Sequence, residues 1–318
     1  MASDVPARVL ALVGSARRDG YTMACLQEVL AGAAQVVGVE VQTIHLLDHA
    51  FGPCTSCYAC IRSSDHRCVL DDDLGRRGDT DLWRAVDGAN AMLWATPVHG
   101  WSVDALLHLF IERLYPFTWS GELQGMPIAG LSVASNQGFG HLANEMLCQW
   151  SFTKGARWIG GLSVHMVYWE DVRPEARALG RRLAEAALVD AQGREPLDEE
   201  SHWLAYENTP WPAYPRYLEN LTRDSGDPRQ SILRRALDAE AMSRPEAVEA
   251  LRRADALFQR AAADDRLGRR EEAIRGLVRA SAHWTQATWK EYLEEKLIKA
   301  PQPAAYRPLS DPDIEGER

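Results

Sequence analysis

The sequence predicts an α/β fold, a doubly wound parallel sheet of five strands followed by a helical C-terminal extension. Three observations carry this. Up to about residue 190, short runs rich in Val, Leu and Ile alternate with amphipathic stretches, the pattern of βαβ units. The runs are nearly continuous in apolar residues, as strands covered by helices on both faces require. At 318 residues the chain is long for one domain, and its character changes near residue 192.

The strands are expected at Val9–Val13, Val39–Ile44, Ala91–Thr96, Pro127–Ala134 and Trp158–Met166. Helical periodicity falls between and after them, at Thr22–Val37, Thr80–Asp87, Val103–Tyr115, Leu142–Lys154 and Pro174–Ala191, the last opening with Pro in its first turn. Ligands of such sheets bind beyond the carboxyl ends of the strands, so the loops after the first, third and fourth strands are where chemistry is expected.

The expected organisation is a sheet domain over 1–191, a Pro-, Trp- and Tyr-rich linker or arm over 192–230 containing WPAYPRYLENL, and a helical extension over 231–318. Within the extension, helical spacing recurs at Ser231–Met242, Pro245–Leu267 and Arg269–Lys299. The break Leu267, Gly268, Arg269 makes the last two an antiparallel hairpin. The polar, Pro-rich end from Pro301 is expected to be loose.

Composition removes several function classes. Hydrophobic residues make up 46% and charged residues 25%, ordinary for a globular chain, and no window approaches the roughly 20 consecutive apolar residues of a membrane helix. A net charge of -10 argues against a nucleic-acid partner, which would call for clustered Lys and Arg. The N-terminus runs from an acidic residue straight into a strand pattern without the features of a signal peptide, so a cytoplasmic location is expected. No GxSxG or hydrolytic triad is found.

The first strand is followed by Gly14, Ser15, Ala16, Arg17, Arg18, Asp19, Gly20, Tyr21, Thr22 and then a helix. Small and hydroxyl residues there place backbone N–H groups, the Ser15 and Thr22 hydroxyls and a helix N-terminus around one anion, with Arg17 adding charge. Neither the GxGxxG spacing of a dinucleotide site nor a Gly-Lys-Ser/Thr P-loop is present, so one monophosphate is the better fit.

Four of the six cysteines lie between Cys54 and Cys68: Cys54, Cys57 and Cys60 at CxxCxxC spacing, then seven residues, then Cys68 and three aspartates, Asp71 to Asp73. The spacing admits a [4Fe-4S] cluster, a zinc site, or reduced thiols lining the entrance to a bound cofactor. Cys25 and Cys148 sit in helical, apolar patterns and are expected to be buried hydrophobes.

The segment GSARRDGYT resembles the flavin phosphate loop GS-x-R-xx-G-x-T of the NADPH-dependent FMN reductase family. A second segment, Thr96 to Arg113 (TPVHGWSVDALLHLFIER), is similar to the family's third-strand loop and helix. The chain departs from it at three points: His99 stands for the usual Tyr, His108 for Lys and Glu112 for Asp. A third loop, Ser135 to Gly140, takes the place of a Gly-rich loop beside the flavin's pyrimidine side. The compact cysteine motif resembles that of the iron-sulfur flavoprotein branch.

The resemblance covers roughly residues 8 to 190 and implies a flavodoxin-like fold. It also implies FMN as cofactor and NAD(P)H as co-substrate, with chemistry at flavin N5, a small-molecule electron acceptor such as a quinone, nitro or azo compound, and a homo-oligomer. Ser15, Arg17, Gly20, Tyr21 and Thr22 would hold the phosphate; Thr96, Pro97, Val98, His99, Gly100 and Trp101 would border the ring, joined by Ser135, Asn136 and Gly138. His99 and Trp101 would orient nicotinamide or substrate, whereas His108, on a helix, reads as a surface or packing residue. In the iron-sulfur branch, Cys54, Cys57, Cys60 and Cys68 would hold a [4Fe-4S] cluster, bringing in a redox protein partner such as ferredoxin.

In the extension, ALFQRAAADDRLGRREEAIRGLVRA resembles a single tetratricopeptide-type hairpin. One repeat does not bury a core alone, so a packing role or a protein partner is implied. Trp284 and Trp289 read as packing residues.

Overall fold

The computed structural model describes residues 5–194, 197–223 and 225–291. They fall into two compact units that divide between Pro196 and Leu197.

The first unit runs β1 (Ala7–Val13), α1 (Tyr21–Ala33), β2 (Val39–His45), α2 (Ala59–Arg62), α3 (Asp81–Asp87), β3 (Ala91–His99), β4 (Ser102–Val103), α4 (Ala105–Arg113), α5 (Tyr115–Ser120), β5 (Pro127–Ala134), α6 (Gly140–Thr153), β6 (Arg157–His165) and α7 (Trp169–Gln192). The sheet order is β2-β1-β3-β5-β6, all parallel, while β4 pairs antiparallel with β3. With the two-residue β4 set aside, this is the strand order of a flavodoxin-like sheet.

Both faces are covered, as the apolar runs require. Val9, Ala11 and Val13 join Leu93, Ala95 and Leu131 against Leu26 and Val29 of α1 and Leu179 and Leu183 of α7. Leu10 and Leu12 join Met92, Trp94 and Ile128 against Trp83 of α3, Phe110 of α4 and Leu147 of α6. Each buried leucine contributes roughly 2 kcal/mol of transfer free energy. Helices α1 and α7 meet at backbone distance: a Cβ on Gly180 would lie 1.8 Å from the Val29 carbonyl oxygen, and one on Gly32 2.0 Å from that of Arg177.

Several boundaries differ from the sequence expectation for identifiable reasons. The expected helix Val103–Tyr115 is α4, which ends at Arg113, and Pro116, with no N–H to continue it, opens the further short helix α5. Helix α7 begins at Trp169, five residues ahead of Pro174, which is accommodated early in the helix.

The second unit contains α8 (Glu199–Ala205), α9 (Ala213–Thr222), α10 (Ile232–Asp238), α11 (Pro245–Arg266) and α12 (Arg270–Thr288). The segment 192–230, expected as an irregular linker, thus holds two helices of this unit. Its aromatic residues are core: Trp203, Tyr206, Trp211 and Tyr214 are buried, Trp203 packs on Tyr217 at 4.3 Å, and Arg270 lies 4.0 Å over the Tyr214 ring while pairing with Glu207. The expected hairpin is present as α11 and α12, where Gly276 lets Ala261 approach so closely that an added Cβ would stand 2.9 Å from it. The end of the expected helix to Lys299 and the tail after it lie outside the described residues.

Candidate functional site

The strand order reverses between β1 and β3, so their carboxyl ends open a crevice at the switch point. Gly14 closes its floor, its N–H donating to the Ala95 carbonyl at 3.0 Å. Gly is required there, since a Cβ would stand 2.1 Å from a carboxylate oxygen of Asp104. Asp104 itself is buried and caps α4 by accepting from the N–H groups of Leu106 and Leu107. Its own N–H donates to the Thr96 hydroxyl, which donates back to Asp104 Oδ2 at 2.8 Å. This pair locks the end of β3 to the start of α4.

From Ser15 to Thr22 the chain forms a turn in which the Ser15 hydroxyl accepts from Arg17 N–H at 3.1 Å. Gly20, in extended backbone, caps α1 without a side-chain bond, and the first turn of that helix carries no acidic residue. Its leading N–H groups and positive dipole end therefore face the crevice unopposed. Arg18 is drawn off to Asp48, while the exposed Arg17 is left beside the turn. Ser15 and Thr22 are buried and Tyr21 exposed.

Beyond Thr96 the chain does not loop freely. Pro97, Val98 and His99 continue β3, which turns at Gly100 and Trp101, both at positive φ (56° and 63°), into β4. Two successive left-handed residues make the tight hairpin turn that matches strand twist. Gly takes this conformation freely; Trp101 does so at a cost of order 1 kcal/mol, and such strain gathers at functional positions. Trp101 is 53% exposed and its ring lies 4.7 Å from that of Phe139, which is also left-handed (φ 60°) and precedes α6.

The loop after β5 lies alongside. Ser135 and Asn136 are exposed, Gly138 takes φ 91°, and His165 at the end of β6 donates from Nε2 to the Asn136 carbonyl at 2.6 Å while its Nδ1 accepts from Val167 N–H. Of the expected ring-bordering residues, Thr96 is the exception: it is fully buried with its hydroxyl engaged by Asp104, so any ligand contact there falls to backbone. Sequence reasoning missed Asp104 and His165, and it placed Phe139 in the third loop without giving it a role of its own. Asp before a helical pattern is an N-cap signal that points to the first; the other two carry none.

The four cysteines Cys54, Cys57, Cys60 and Cys68 line a second, separate cavity of about 480 Å³, walled by Tyr115, Pro116, Trp150 and Lys154. It sits at the far end of α4 from Asp104, nine residues or about 14 Å along the helix, so within one chain these thiols do not line the crevice of β1 and β3. Ser56 and Tyr58, between the cysteines, are both left-handed (φ 52° and 56°), turning the loop into a concave backbone surface of the kind that holds anions and iron–sulfur clusters. Arg62 donates to the Cys57 carbonyl, His66 to that of Cys60 at 2.7 Å, and Glu112 accepts from Cys54 N–H at 3.2 Å.

Arg113 is 2% exposed, pairs through both terminal nitrogens with Asp72 (2.6 and 2.9 Å) and donates to Cys68 Sγ at 3.4 Å. Burial and the neighbouring thiols push the Cys60 thiol up to about 12, and burial likewise raises Cys68 against the pull of Arg113. Burial pulls the Lys154 ammonium down to about 8, opposed by Glu112 and Cys54.

Among the described residues no three His, Cys, Asp or Glu are gathered so as to hold a metal ion. Tetrahedral zinc needs its sulfurs about 2.3 Å from one point, whereas a four-iron cluster carries its thiolates on its outside, one per iron. Thiols that share a void without converging on a point therefore fit the cluster better than zinc. The hydroxyls of Thr55 and Thr118, buried in this cavity without a partner, also suit a sulfur-rich occupant. Cys25 and Cys148 are buried, as expected.

A family model described as NADPH-dependent FMN reductase matches residues 7–171, more than half of the chain. The chain belongs to that family. An iron-sulfur flavoprotein of Archaeoglobus fulgidus is 27% identical over 198 residues, covering 61% of this chain and 86% of that protein. Among solved structures, a flavone reductase is 17% identical at a TM-score of 0.43, covering 61% of this chain and 69% of its own. A flavodoxin-type WrbA-like protein from Agrobacterium tumefaciens is 16% identical at a TM-score of 0.39, covering 59% and 99%. No described helix is long and apolar enough to cross a membrane.

In this member of the family, the turn after β1 and the segment that opens at Thr96 meet at the switch point, through Gly14 and Asp104. His108, where the family usually has Lys, lies on α4 with its ring 5.4 Å from that of Trp150, a packing contact.

Proposed function

We propose that the protein is an FMN-dependent oxidoreductase that draws electrons from NAD(P)H and passes them to a small acceptor. One observation carries the reading: an unopposed helix N-terminus with Ser15 and Arg17 faces the same crevice as the strained Trp101 turn and the Ser135–Gly138 loop. Anion cradle and aromatic-flanked rim stand together at the switch point, which matches a cofactor with one phosphate and one flat ring system.

When bound, FMN supplies the hydride acceptor and electron carrier; the chain supplies placement and electrostatics. Ser15, Arg17, Gly20, Tyr21 and Thr22 would hold the phosphate, Arg17 with charge and the start of α1 with N–H groups. The edge of the ring falls to the Thr96–Trp101 segment, largely through backbone, and to Ser135, Asn136 and Gly138. Trp101, His99 and Phe139 would steer a planar acceptor or nicotinamide, and the exposed Tyr21, Trp101, Phe139 and Tyr168 fit a second copy of the chain closing over the site.

A second reading is favoured by the cysteine cavity. Cys54, Cys57, Cys60 and Cys68 would hold a [4Fe-4S] cluster, which when bound supplies one-electron transfer to a redox protein partner. It is supported by the left-handed Ser56 and Tyr58, the partnerless Thr55 and Thr118 hydroxyls, and the similarity to an iron-sulfur flavoprotein.

The test is an absorption spectrum of anaerobically purified protein with flavin, iron and sulfide analysis, before and after NADH or NADPH. Bound FMN that bleaches with a nicotinamide is expected. Protein that carries no flavin and takes none up would overturn the first reading, and flavin without iron or sulfide would overturn the second.

A further inference from the structure

We propose that Lys154 is the charge-compensating cation of the cysteine cavity, its buried ammonium placed to offset the negative charge of an iron–sulfur cluster held by Cys54, Cys57, Cys60 and Cys68. The inference rests on the second reading above and assigns a role to a residue outside the cysteine motif.

Lys154 follows α6 directly, remote in sequence from the cysteines, and the residue is only 6% exposed. It lines the same cavity. Among the described residues no carboxylate stands within ion-pair distance of it; its ammonium lies 5.3 Å from the Trp150 ring centre and 5.8 Å from that of Tyr115. Ring faces recover only part of what an ammonium loses on leaving water. The other buried cation here, Arg113, is already neutralised by Asp72. Glu112, the remaining acid on the cavity wall, accepts from the Cys54 N–H and attracts Lys154 only from beyond ion-pair distance.

The cavity therefore holds an ammonium with no ion-paired carboxylate, on which Glu112 acts only at longer range, and it faces four thiols that become anionic on ligating a metal. Coordination deprotonates the thiols and concentrates negative charge inside apolar walls. Each electron that enters adds one more negative charge, so a fixed ammonium at short range stabilises the reduced form more than the oxidised one. Removing it makes the cluster harder to reduce and to retain.

The experiment uses the full chain and its Lys154→Met and Lys154→Arg variants, reconstituted anaerobically with ferrous iron and sulfide. Iron per chain is measured, together with the midpoint potential from an electron-paramagnetic-resonance titration with dithionite. Wild type and Lys154→Arg are expected to hold about four irons per chain. Lys154→Met is expected either to lose the cluster or to show a tenfold weaker reduction equilibrium, about 59 mV lower for a one-electron couple.

Lys154→Met with full iron and an unchanged potential overturns the role of Lys154 and leaves the cluster standing. Wild type that takes up no iron overturns the cluster itself, and the inference with it. Thermal unfolding of the iron-free proteins adds a control, because losing a buried charge without an anionic partner should raise the midpoint. If iron-free Lys154→Met melts below wild type, the lysine supports the empty fold and the inference fails.

Discussion

Asp104 organises the candidate site without reaching into it. Its carboxylate caps α4, fastens Thr96 and lies against Gly14, so the turn after β1 and the hairpin at Gly100 and Trp101 share one anchor. Replacing it with Ala removes the cap, worth about 1 kcal/mol, and leaves the Thr96 hydroxyl to donate to the Pro97 carbonyl. Urea unfolding of Asp104→Ala should show a loss of that size together with weaker flavin retention; unchanged stability would remove Asp104 from this role. Trp101 illustrates a different economy, since a bulky aromatic at φ 63° is kept in a strained, half-open position where a smaller residue would fold more easily.

At the scale of elements, the contact between α1 and α7 shows how helices are held over a sheet. Gly180 brings the backbones together, and Gly180→Ala would drive a Cβ into the Val29 carbonyl. Overpacking against backbone is expected to cost about 3 kcal/mol, read as a lower thermal midpoint with the fold retained. The same two helices are joined by Glu28, whose carboxylate bonds Arg173 and Arg177 at 2.6 Å each. Those hydrogen bonds hold the Glu28 carboxyl below its ordinary value. A carboxyl depressed in the folded state adds stability above its unfolded value, near pH 4.3, and loses it as the pH falls through the folded value. Glu28→Gln should thus be less stable than wild type at neutral pH by about 1 kcal/mol, and the two should converge on acidification. Parallel stability curves down to pH 3 would contradict this.

For the whole molecule, the division between Pro196 and Leu197 assigns both the switch-point crevice and the cysteine cavity to the first unit. We expect residues 1–196 expressed alone to fold cooperatively and to bind flavin with an affinity near that of the full chain. A fragment that folds but binds no flavin would mean that the helical unit contributes to the site. The two candidate sites border opposite ends of α4, which lie about 14 Å apart along the helix.

The amino-acid sequence by itself determined the layer architecture, because apolar runs bounded by amphipathic stretches admit few arrangements other than a covered parallel sheet. It also determined the polar turn after the first strand and the grouping of four cysteines, since Ser15 to Thr22 and Cys54 to Cys68 are each local in the chain. Only the tertiary structure decided what depends on contacts between distant segments. Asp104 meets Gly14 across 90 positions, Phe139 meets Trp101 from another loop, and Lys154 lines the cysteine cavity from the end of α6. The aromatic segment after residue 192 likewise read as irregular, because its two helices are short and their stability comes from burying Trp203 and Tyr214 rather than from a long repeat. Local pattern names the elements; which side chains share a cavity depends on long-range packing that no local pattern encodes.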